Sequence, residues 1–66
     1  MGQLDELKQL LVYLIGHNDD HAKEVTELAR QARDLGNPEA SARLMEGIQL
    51  MQASNKKLEE GLDLIK

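Results

Sequence analysis

Leu4, Leu7, Leu11, Leu14, Val25, Leu28, Ala32 and Leu35 follow one another in alternating steps of three and four, and Asn18 and His21 fall in the same phase. That spacing is the heptad signature of an amphipathic helix with a packing seam along one side. The pattern resumes at Leu44, Ile48, Met51, Asn55, Leu58, Leu62 and Ile65. Between the two runs stands LGNPEAS, residues 35–41, with Gly36 suited to the left-handed position after a helix, Asn37 to an N-cap and Pro38 to the first helical turn. The chain therefore reads as one domain over 1–66: a helix over 3–35, a turn at 36–38 and a helix over 38–65.

Gly16, His17 and Asn18 offer a second punctuation, a C-cap followed by a new N-cap, which would make a three-helix bundle with a break near 16–18. The unbroken phase across Gly16 favours the single long helix, because a turn resets phase and one interior glycine costs only about 1 kcal/mol. Folding back at Gly36–Pro38 then sets Leu28 opposite Ile48, Val25 opposite Met51, His21 opposite Asn55 and Leu14 opposite Leu62. The expected fold is all-α, an antiparallel αα-hairpin.

A hairpin alone leaves too much apolar surface. Residues 10–15, LLVYLI, are apolar around most of the helix, more than one neighbouring helix covers. Along the second helix Ala40, Gly47, Ser54 and Gly61 recur every seven residues, a column of small side chains that lets another helix come close. Two hairpins pairing into a four-helix bundle is the expected assembly, with Leu10, Tyr13, Leu14, Gly47, Ser54 and Gly61 at the interface. Size points the same way, since a 66-residue chain buries only roughly 60% of its unfolded surface. There is no cysteine to supply disulfides.

Twelve acids against eight bases give a net charge of −4, and no basic run exceeds Lys56-Lys57, so nucleic acid and anionic membranes are not expected partners. No apolar run is long enough to span a bilayer, no signal-peptide pattern is present, and Glu6 stands where an N-myristoylation signal has Ser or Thr. A cytoplasmic location is the expectation. The remaining charges sit at i,i+4 spacings typical of a solvated surface: Asp19 with Lys23, Lys23 with Glu27, Glu39 with Arg43, and Lys56 with Glu60.

Candidate chemistry concentrates in HNDDHAKE, residues 17–24, which holds both histidines. In a continuous helix Asn18 and His21 take core-type positions and meet Asn55, forming a polar layer that fixes register and partner number. The competing reading is a metal site. His17 and His21 are four apart and project from one face, as a histidine pair chelating Zn, Ni or Cu requires, and Glu24 and Asp20 lie one turn on from His21 and His17. A twofold axis near the helix midpoint would bring four histidines together. The same layer could sense acid, because histidines meeting at a dyad repel once protonated, at about pH 6.

His17, Asn18, His21 and Ala22, followed by Asn55 and Leu58, carry a resemblance. Over residues 14–65 the chain resembles a small, uncharacterised helical-hairpin family with an H-N-x-x-H-A motif, an alanine-rich helix and a leucine-rich helix containing N-x-x-L. The resemblance implies the hairpin and the grouping of His17, Asn18 and His21, and it implies metal handling in relatives where a histidine-rich segment precedes the domain.

No catalytic residue is expected. There is no cysteine nucleophile or Gly-rich phosphate loop, Asn18 occupies the place of the glutamate in HEXXH, and Ser41 and Ser54 lack triad partners. The function expected is a non-enzymatic oligomerising interaction or structural module, a homodimer or a binder of another protein. Transition-metal binding or sensing through His17 and His21 at the dimer interface is the alternative.

Overall fold

A computed structural model describes residues 2–65; Met1 and Lys66, the ends of the expected 1–66 domain, lie outside the described residues. Two helices make up the fold, α1 over Gly2–Asp34 and α2 over Pro38–Leu64. They lie side by side in a slender rod measuring 53 × 15 × 10 Å. α1 runs unbroken through Gly16, so the three-helix alternative does not hold.

The reversal is built as the sequence suggests. Gly36 adopts φ +88°, and its N–H donates to the Arg33 carbonyl at 3.1 Å while the Asn37 N–H donates to the Ala32 carbonyl at 2.8 Å. This pair of bonds is the Schellman arrangement, which satisfies carbonyls that a helix end would otherwise leave open. Pro38 then starts α2, and Ser41 N–H donates to the Asn37 carbonyl at 3.0 Å. Asn37 occupies the N-cap position without a side-chain capping bond.

The seam between the helices corrects the expected one. On α2 it runs along Ser41, Ile48, Met51, Asn55, Leu58 and Leu62, with Ile65 just past the helix end, close to expectation apart from buried Ser41 and exposed Leu44. On α1 one expected column holds, Leu11, Asn18, Val25 and Ala32. The other shifts by one residue: Ile15, Ala22 and Ala29 line the contact, and Leu14, His21 and Leu28 face solvent. Ala22 and Ala29 are 4% and 1% exposed, and Ile48 is 4% exposed. Small side chains seven residues apart let the backbones approach closely, and this choice of column buries Ala22 and Ala29 where the other would have buried His21 and Leu28.

The pairing register moves as well. Asn18, rather than His21, hydrogen-bonds to Asn55, a displacement of three residues along α1. With 33 residues against 27, α1 also overhangs α2, and Leu4 and Leu7 in its first turns stay exposed.

Surface charge pairs form at a different spacing from the one expected. Asp19–Lys23 is present at 3.7 Å, but Glu27 meets Arg30, Arg43 meets Glu46 and Lys57 meets Glu60, each at i,i+3. Such exposed pairs contribute little to stability.

Candidate functional site

The midpoint of α1 separates the two ideas that the sequence combined. Asn18 and Asn55 form the polar element of the seam: Asn18 Nδ2 donates to Asn55 Oδ1 at 3.0 Å, and Asn55 Nδ2 donates to the Ile15 carbonyl at 2.9 Å. Both side chains are half-buried, and none of the described buried side-chain nitrogens or oxygens lacks a partner. His21 stands outside this layer, its side chain 48% exposed. The expected trio of Asn18, His21 and Asn55 is thus a pair.

His21 joins His17 instead. Their Nε2 atoms lie 2.9 Å apart and the rings meet edge-on, with centroids 4.4 Å apart and an 84° interplanar angle. The helix brings these rings together because residues four apart are neighbours on one face. Tyr13, a turn earlier, stacks on the His17 ring with centroids 5.7 Å apart and planes 13° from parallel. Glu24, a turn later, places Oε2 3.8 Å from His21 Nδ1. Tyr13, His17, His21 and Glu24 therefore form a continuous file along the outside of α1.

Of the four expected ligands, the structure brings together His17 and His21, and it sets Glu24 beside the outer nitrogen of His21. Asp20 borders a shallow depression with Val12, Tyr13, Gly16, His17 and Asp19, beside the imidazole pair rather than between its two Nε2 atoms. Among the described residues no three His, Asp or Glu side chains converge on a common point where a metal could sit.

The displaced leucines make a second surface. Leu7, Leu14, His21, Leu28 and Leu35 recur every seven residues, one column away from the Leu11, Asn18, Val25 and Ala32 edge of the seam. All five are exposed, Leu14 at 46% and Leu28 at 54%. Leu10 and Tyr13 are exposed beside them. On α2 the small column is open: a side chain added at Gly47 or Gly61 would meet nothing within 4 Å. Ser54 borders a depression with Asn18, Leu50 and Met51, which puts the small column on the same side of the hairpin as the leucine column.

The leucine column shares its heptad phase with the intramolecular seam, so periodicity alone does not tell the two apart. The signal that separates the two is the Ala22, Ala29 spacing beside it, which marks a closely packed contact.

A family model for a domain of unknown function, DUF8180, matches residues 7–65. The chain belongs to the DUF8180 family. The match takes in residues 14–65, over which the chain resembles a small helical-hairpin family, and agrees with a family without an assigned role. No curated protein and no solved structure matches this DUF8180 chain. Among its described residues no helix is long and apolar enough to cross a membrane.

Proposed function

We propose that this DUF8180 hairpin is a non-enzymatic self-association module, whose partner is a second copy of the same chain. The observation that carries the reading is the exposed column Leu7, Leu14, His21, Leu28, Leu35, which reads the same in both directions about His21. Two antiparallel α1 helices related by a twofold axis at His21 set Leu14 against Leu28 of the second copy and Leu7 against its Leu35. A self-complementary patch of this kind is what a twofold interface requires. Gly47, Ser54 and Gly61 on the same side give the second hairpin room to approach, completing a four-helix bundle with Leu10 and Tyr13 at its edge.

Energetics support the same occupant. Among the described residues the intramolecular core holds only Ala22, Ala29 and Ile48 as buried apolar residues, a small core that leaves a chain of this length marginal on its own. Each leucine taken fully from water contributes about 1.5–3 kcal/mol, so the column holds stabilisation that the lone hairpin leaves unused.

Sedimentation equilibrium of the full chain tests the reading. A twofold species at micromolar concentration, lost when Leu14 and Leu28 are both changed to Asp, is expected. A cooperatively folding monomer across that range would overturn it.

A further inference from the structure

We infer that His17 and His21 form a two-imidazole chelate for a late first-row divalent cation, Cu(II) foremost, with Glu24 as a positioning residue. The site needs only one protomer and does not rest on self-association.

Distance and direction carry the inference. Both Nε2 atoms turn toward each other and are 2.9 Å apart. Two nitrogens bound cis at a right angle, each about 2.05 Å from a metal, are separated by roughly 2.9 Å, whereas a tetrahedral pair is separated by about 3.3 Å. The observed spacing therefore fits the square-planar or tetragonal geometry of Cu(II) and Ni(II) and opens by a few tenths of an ångström for Zn(II). Water fills the remaining positions, as the exposure of both rings in the single hairpin allows.

The flanking residues set the nitrogens in the required state. The Glu24 carboxylate beside His21 Nδ1 favours a proton on that atom, which leaves the His21 Nε2 lone pair directed at His17. His17 Nε2–H then donates to His21 Nε2. Metal binding replaces this shared proton: His17 moves its proton to Nδ1, and both Nε2 lone pairs turn to the cation, with no net proton exchanged. Tyr13, stacked on His17, limits rotation of that ring. Two histidines in register on a rigid helix avoid much of the ordering cost that a chelate on a flexible loop would carry.

Titration of the full chain with Cu(II) and Ni(II), read by calorimetry and by the nitrogen hyperfine pattern of the Cu(II) resonance, tests the assignment. Two imidazole nitrogens on Cu(II) are expected. His17→Ala and His21→Ala should each weaken binding at least tenfold, with the helical circular-dichroism spectrum retained because neither side chain lies in the seam between α1 and α2 and alanine favours helix. Glu24→Gln should weaken it by about tenfold while the count of bound nitrogens stays at two. Equal affinity and an unchanged resonance in the His17→Ala, His21→Ala double variant would overturn the chelate. Unchanged affinity in Glu24→Gln would overturn the positioning role.

Discussion

Asn18 and Asn55, on opposite helices, share a hydrogen bond of 3.0 Å, and Asn55 also holds the Ile15 carbonyl at 2.9 Å. One amide thus ties α2 to both a side chain and the backbone of α1 and sets which residues face each other. Replacing Asn55 with Ala removes both bonds and leaves half-buried groups unpaired, so a loss of about 1–2 kcal/mol is expected in urea unfolding. Changing both asparagines to Leu should raise the melting temperature yet loosen register, because apolar packing is favourable at several offsets and the amide pair at one. Cysteine pairs placed across the seam would then cross-link at more than one spacing in the double variant and at one in the parent.

How much of this was legible beforehand depends on the kind of signal. The turn was local: Gly36, Asn37 and Pro38 each carry their own backbone preference, so the reversal could be placed from three residues. The faces of α2 were also legible, because polar residues flank its seam. On α1 the apolar run from Leu10 to Ile15 gives two usable columns, Leu14 or Ile15, and periodicity cannot rank them. Close packing at Ala22 and Ala29, together with the better pairing of two amides, selected the narrower column. His21 left the core by the same one-residue rotation, and its pairing with His17 was legible from spacing alone.

Glycine substitutions separate backbone need from surface need. Gly36→Ala puts a side chain at φ +88° and should cost about 1–2 kcal/mol by thermal unfolding. Gly16→Ala lies inside α1 with open space around it and should stabilise by up to about 1 kcal/mol. Gly47 and Gly61 are equally open within one hairpin, yet a second copy packed on their column would meet the added methyl. Gly61→Ala should therefore favour helix while raising the dimer dissociation constant, a divergence that sedimentation and circular dichroism together would reveal. A parallel gain in both would place the second copy elsewhere.

A twofold axis at His21 makes a geometric prediction. The chain contains no cysteine, so His21→Cys introduces a single thiol at the centre of the leucine column. Mild oxidation should link two copies through position 21 rapidly, whereas a thiol placed at Asp5, away from that centre, should react slowly. Leu14→Lys alone should weaken the pair by at least about a hundredfold, as two leucine contacts are lost per dimer. Adding Leu28→Glu to the same chain should restore part of that loss, because antiparallel pairing sets the new Lys against the new Glu. A parallel pair would set like charges together and gain nothing.

Metal and assembly should be coupled through His21, which belongs both to the leucine column and to the imidazole pair. At a dyad through His21 two chelates meet, and a cation bridging them gains imidazoles that one hairpin cannot supply. Zn(II), which favours four ligands at tetrahedral angles, should then tighten the dimer by tenfold or more. Linkage requires the reverse as well: the dimer must bind Zn(II) more tightly than a Leu14→Lys monomer, by the same factor. Sedimentation with Zn(II), with EDTA, and with His17→Ala measures one side of that relation, and calorimetry of the dimer and the Leu14→Lys chain measures the other. Equal Zn(II) affinity in dimer and monomer would place the chelates apart, on the outer flanks of the bundle. Tighter binding by the dimer that vanishes with His17→Ala would place all four imidazoles around one ion, because His17 reaches the cation without lying in the leucine column.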